Sequence, residues 1–142
     1  MARVTIYASV VKAQSLQLAR RLIDDVLDEV IVQAKIITLT GEYTTGELSR
    51  SIRRTPLTIR GDVVTGEVGS NLPYAHFVHD GTKPHFILPR GNYPLRFYWK
   101  KVGHHVRFNI VGHPGQRAKK FLTGPLTLIA ARHGWVVYTY GP

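Results

Sequence analysis

Seven histidines in a chain of 142 residues without a single cysteine are the first candidates for chemistry. Imidazole can ligate a metal or move a proton near neutral pH, so both uses need weighing. His76, His79 and His85 lie close together, and His104, His105 and His113 come later. On an extended strand, positions 76 and 79 would point to opposite faces, which argues against chelation by that pair. No H-E-x-x-H or other carboxylate-bearing metal signature accompanies them. The plainer expectation is loop or interface histidines bonded to backbone, with no metal and no cofactor.

Metal-free cleavage of RNA is the sharper enzymatic reading, with His85, His113, Lys83 and Arg117 as its natural acid–base and phosphate groups. A base of that kind needs an orienting partner, and no Asp or Glu follows Asp80. A P-loop, a dinucleotide fingerprint, a nucleophile elbow and paired acids are also missing. The chain is therefore expected not to be an enzyme. The run Phe97-Tyr98-Trp99-Lys100-Lys101 has the ingredients for stacking on single-stranded bases. On a strand, however, Phe97 and Trp99 share one face while Tyr98 and Lys100 share the other. One set is expected to pack the core and the other to lie on the surface.

The densest stretch is Gly69–Pro89, GSNLPYAHFVHDGTKPHFILP, with three prolines, two glycines, three histidines, three aromatics and one acid. That mixture reads as an ordered, exposed loop system that touches a partner. Asp80-Gly81-Thr82 forms a tight turn, and Lys83-Pro84 forces an extended lead into His85. His113-Pro114-Gly115 is a second turn of the same kind, and the two are expected to present His85 and His113 together. Charge changes at the same place. Nine Lys/Arg balance nine Asp/Glu through residue 80, whereas the ten Lys/Arg beyond it meet no acid, which produces the net +10. Such asymmetry points to an acidic or polyanionic neighbour for the second half.

These residues need a frame. Length and composition fit one globular domain over residues 1–142, folding in a reducing cytosol without disulfides. No apolar run reaches the roughly 20 residues of a membrane span, and the N-terminus lacks the features of a secretory signal. Residues 3–8 alternate as a short strand. Ala19, Leu22, Ile23, Val26, Leu27, Val30, Ile31 and Ala34 then form one helical stripe, with Ser15 as N-cap and Gly41 beyond the end. Arg20–Asp24 and Arg21–Asp25 are placed to pair at i,i+4, and the acids late in the helix oppose its dipole. A turn-rich joint over 42–52 leads into strands near 57–60, 63–68, 75–79, 86–88, 95–101 and 105–111. The last two form a hairpin turning near Gly103. A short helix follows Gly124-Pro125, with Leu126, Ile129, Ala130 and His133 on one side and Gly134 at its end. WVVYTY closes the chain as a strand. The fold class is α+β: a long N-terminal amphipathic helix packed on a curved, mostly antiparallel β-sheet, with a short second helix near the C-terminus.

Three motifs recur in this order. They are Thr45-Gly46-Glu47-Leu48 with Ser51-Ile52; Val68-Gly69-Ser70-Asn71, Pro73-Tyr74-Ala75 and Val78 through Asp80-Gly81-Thr82-Lys83-Pro84-His85; and Val111-Gly112-His113-Pro114-Gly115 with Lys119-Lys120-Phe121-Leu122. Together they resemble the head–tail joining family of long-tailed double-stranded DNA phages, the neck or tail-completion morphogenesis proteins. Lys120 departs from the family pattern, which commonly has Pro before the Phe-Leu pair.

The resemblance implies a structural virion component, located in the neck or tail and made in the host bacterial cytoplasm. Copies would form a cyclic ring, six- or twelve-fold, joining the portal–connector complex to the tail around the DNA channel. Partners would be the chain itself, neighbouring connector and tail proteins, and non-specifically the genomic double-stranded DNA; no membrane is involved. Tyr74, Asp80, Gly81, Thr82, Pro84, His85, His113, Pro114 and Gly115 would shape subunit contacts. Lys83, Arg90, Lys100, Lys101, Arg117, Lys119 and Lys120 would meet DNA or acidic partners. A β-branched residue at Gly81 is expected to block assembly while leaving the monomer soluble. The alternative is a small basic nucleic-acid-binding module, which would bind DNA or RNA tightly as a monomer.

Overall fold

In a computed structural model of the chain, residues 2–7, 13–41 and 44–135 are described. The helix foreseen from the apolar stripe is α1 (Ala13–Leu39). Ile23, Val26, Leu27, Val30 and Ala34 are essentially solvent-free along it, and Leu22 and Ile31 flank them half-buried. Ser15 lies inside the helix rather than capping it, and the acids from Asp24 to Glu29 sit mid-helix, away from the terminal dipole.

The stripe packs on β4 (Val63–Gly69), whose Val64, Gly66 and Val68 face inward by simple alternation. Gly66 matters through its missing side chain. A Cβ there would lie 2.5 Å from Leu27 Cδ1 and 2.6 Å from Leu57 Cδ2, so any side chain at this position would have to displace both leucines from between helix and sheet. β4 is central. β1 (Ala2–Tyr7) runs antiparallel along one edge, from Ala2↔Val68 to Tyr7↔Val63. β2 (Arg53–Arg54) and β3 (Thr58–Arg60) share its other edge, also antiparallel. Arg3 pairs with Glu67 across the first edge. Arg54 reaches from β2 to Asp24 and, at 2.9 Å, to Asp28 on α1. Asp24 is therefore tied to the sheet rather than to Arg20, and no Arg21–Asp25 ion pair occurs among the described residues.

Between α1 and β2, the joint contains a short helix, α2 (Glu47–Ser51), which sequence periodicity is too brief to reveal. α4 (Thr123–Arg132) matches the expected second helix, inserting Leu126, Ile129 and Ala130 beside Phe121 and Leu122. His133 is exposed at its C-terminal cap, not part of that buried side. Arg132 bonds Glu29 of α1 at 2.8 Å. Of WVVYTY only Trp135 is described, so the expected final strand lies outside the described residues. No described helix is long and apolar enough to cross a membrane.

Two elements differ from the sequence reading. Residues 75–80 form a helix, α3 (Ala75–Asp80), not a strand. Its turns close locally, with Phe77 and Val78 both bonding Tyr74 O, and Gly81 ends it at φ 77°. The remaining strands do not extend the main sheet. β5 (His85–Ile87) pairs only with β8 (Val111–His113), and β6 (Leu95–Trp99) only with β7 (His104–Phe108). The expected β6–β7 hairpin is present, turning through Val102 and Gly103.

Candidate functional site

The two turns singled out in the sequence are clasped together. Thr82 and Gln116 exchange both backbone hydrogen bonds, at 2.8 and 3.0 Å. Lys119 and Lys120 donate their N–H groups to Val78 O and His79 O, capping the end of α3. Gly81 and Gly115 let the two backbones meet. A Cβ on Gly81 would fall 2.5 Å from Gln116 O, and one on Gly115 2.3 Å from Thr82 O. Gly81 has φ 77° and ψ 177°, a region essentially reserved for glycine. A β-branched residue at Gly81 therefore opens the clasp inside the subunit. The expectation that it would spare the monomer is revised accordingly.

Asp80 anchors the clasp electrostatically. Its carboxylate accepts from Lys120 Nζ at 2.7 Å and from His79 Nδ1 at 2.7 Å. The Lys120 bond first, and His79 second, hold its pKa down to about 2. His79 Nε2 faces the Thr123 hydroxyl at 3.2 Å at the start of α4. On a helix rather than a strand, His76 and His79 share a side after all. His79 is already committed to Asp80 and Thr123, and His76 lies against Phe77 with ring centroids 3.8 Å apart. The cleft beside them, about 250 Å³ and lined also by Leu72, Phe121 and Thr123, is open. Among the described residues, no three His, Cys, Asp or Glu side chains converge as a metal site would.

Beyond the clasp, β5 and β8 carry His85 and His113 to paired positions, with ring centroids 5.0 Å apart. His85 Nδ1 donates to Lys83 O at 2.9 Å, and the Gly115 N–H donates to His113 Nδ1 at 3.1 Å. Both rings thus brace the ends of their own turns, beside Pro84 and Pro114. Tyr74 stands apart from this pair and donates its hydroxyl to Glu47 at 3.2 Å.

The expected cationic set is divided. Lys120 is held by Asp80, and Lys119 Nζ donates to Thr40 O at the end of α1. Lys83, Arg90, Lys100, Lys101 and Arg117 are exposed.

The larger finding is where the core stops. From His76 to Lys120 no residue is fully buried, and the core resumes only at Phe121. The β5–β8 ribbon and the hairpin form an arm outside it. Phe86 and Leu88 are exposed, as are Phe97, Tyr98, Trp99, Phe108 and Ile110. The expectation that one side of the Phe97–Lys101 run packs the core is therefore corrected. Phe97 and Trp99 do share a face, as strand alternation requires, but they meet Phe108 rather than the core. A second exposed apolar patch, Val32, Ile36 and Leu39 on α1, escaped the sequence reading. Its signal was present: those positions repeat at helical spacing opposite the core stripe.

A family model described as "Bacteriophage HK97-gp10, putative tail-component" matches residues 5–81. The matched segment runs from β1 through α3 to the first glycine of the clasp. It contains the Thr45–Leu48 motif and the Val68–Gly81 part of the second, and the arm lies beyond it. No curated protein and no solved structure matches the chain.

Proposed function

The chain belongs to the HK97-gp10-like family of phage tail components, and from that premise we propose that it is a ring-forming structural protein joining head to tail. The observation that carries this reading is the family match over the whole first half of the domain, core sheet and α1 included. The family places it in the virion as a tail-related component. Its position in the neck, its ring and its contact with connector proteins are our proposal.

The shape of the subunit supports an assembly role. A protein that exposes an arm with Phe97, Tyr98, Trp99, Arg96 and Arg107 offers the aromatic and arginine side chains enriched at interfaces. The role is architectural, with no reaction assigned. Magnitude decides how the excess charge is used. Six to ten phosphate contacts per molecule would shift DNA affinity by about 10³–10⁵ between low and moderate salt. A lumen lined by every basic residue of every copy would grip the genome and oppose its exit. Most of the cations are accordingly assigned to protein neighbours or the exterior.

The test is genetic and structural. A phage lacking this chain should accumulate separate heads and tails, and supplying the chain should restore joined particles that contain it by mass spectrometry. Normal virions in its absence would refute the assignment. Tight binding of short duplex DNA by the isolated subunit at about 150 mM salt would favour the nucleic-acid-binding reading instead.

A further inference from the structure

Alternation along the β6–β7 hairpin sorts its side chains onto two opposite faces. The register sets Arg96 opposite Arg107 and Tyr98 opposite His105, so these four exposed side chains share one face. Phe97, Trp99 and Phe108 lie on the other, in contact with one another. Like charges directly opposite each other on a ribbon repel, a cost that an anion lying against both would remove. Neither arginine forms an ion pair among the described residues. The Tyr98 hydroxyl has no hydrogen-bond partner among them either, and its ring meets that of His105 edge-on at 5.5 Å.

A second copy is poorly supplied with the missing anion. Of the acids among the described residues, all but Asp25 and Asp62 already bond a side chain of their own subunit. Against those two stand Lys83, Arg90, Arg96, Lys101, Arg107 and Arg117, exposed and in no ion pair among the described residues. Protein surfaces ordinarily intersperse both signs. The arm shows one sign only, since no acid follows Asp80. A surface of one sign is matched along its whole length by a polyanion.

Strand alternation also selects the polyanion. A single strand is held by cations and aromatic platforms together, because its bases stack while its phosphates are neutralised. Here Phe97 and Trp99 lie on the face opposite Arg96 and Arg107, so one strand could not use both. A duplex keeps its bases stacked inside and presents its phosphates, for which arginine and tyrosine are ordinary donors.

We infer that the Arg96–Arg107 face of the hairpin binds the phosphate backbone of double-stranded DNA, without sequence preference. Each neutralised phosphate steepens the salt dependence by about 0.9 in log–log slope, so two give about 1.8. Affinity then falls only about tenfold between roughly 50 and 200 mM salt, a hold light enough for the duplex to slide. The contact goes beyond the head–tail reading and does not require the ring.

The full chain is titrated against a fluorescent mixed-sequence duplex of about 30 bp, from about 25 to 200 mM salt. Arg96→Gln with Arg107→Gln should weaken binding at least tenfold at low salt and make the slope shallower by about 1.8. Arg20→Gln with Arg60→Gln removes the same charge from the core domain and should leave the slope unchanged. Arg96→Lys with Arg107→Lys keeps the charge and should keep the slope. The glutamine pair relieves repulsion, so its thermal midpoint should not fall; if it falls, the lysine pair decides.

The proposal fails if the hairpin glutamine pair binds like the parent, if the core-domain pair flattens the slope equally, or if the lysine pair loses it. It also fails if a single strand of equal length binds more tightly than the duplex. Polyglutamate that competes as well as unlabelled duplex at equal charge would assign the face to an acidic protein and overturn it. Each of these outcomes leaves the head–tail assignment to its own test, the joining of heads and tails in phage supplied with the chain.

Discussion

Asp80 is the last acid in the chain, and its carboxylate is engaged inside the subunit by Lys120 and His79. Its folded pKa is lowered to about 2 from the ordinary 3.8. A lowered carboxylate stabilises the fold above its unfolded pKa, and that contribution disappears as pH falls through the folded value. Asp80 is more than half exposed, so solvent screening limits the effect. Asp80→Asn should therefore cost less than about 1 kcal/mol at pH 7. The urea midpoints of the two proteins should converge between pH 4 and pH 2. Gly81→Val is the harsher change. Placing a side chain in this glycine-only conformation costs about 1–3 kcal/mol, before the clash with Gln116 O is counted. Thermal unfolding should register it in the monomer, ahead of any assembly assay.

Among the elements, α1 was readable because one long stripe repeats without interruption, and a pattern of that length admits a single period. α3 was not. Ala75, Phe77 and Val78 sit among the polar His76, His79 and Asp80 over a span too short to separate a period of 2 from 3.6. Local bonds to Tyr74 O and the clasp at Gly81 decided for the helix, and neither is visible in composition. The β6–β7 hairpin was readable as a hairpin, yet its place was not, since alternation shows that one face is apolar without showing what covers it. Gly66 went unnoticed because its role appears only when α1 lies on β4. Gly66→Ala should cost about 1–3 kcal/mol through overpacking against Leu27 and Leu57, measured by chemical denaturation. Backbone amides of β6 and β7 should exchange with deuterium far sooner than those of β4 in the free subunit. Slow exchange throughout the hairpin of a monomer would contradict its placement outside the core.

At the scale of the whole molecule, the charge boundary near residue 80 coincides with the boundary between core and arm. The sequence showed the first; only the fold shows the second, because residues such as Phe86, Phe97, Trp99 and Phe108 are of core type and only their exposure tells them apart from core. The clasp between Thr82 and Gln116 also fixes where the chain leaves the core and where it returns. Everything between is a closed loop whose ends are already held together. Loop-closure entropy grows only logarithmically, so doubling such an insert costs about 0.6 kcal/mol. The clasp is thus a grafting point: arms of other lengths and specificities can be mounted there with little effect on the folding of the domain that carries them.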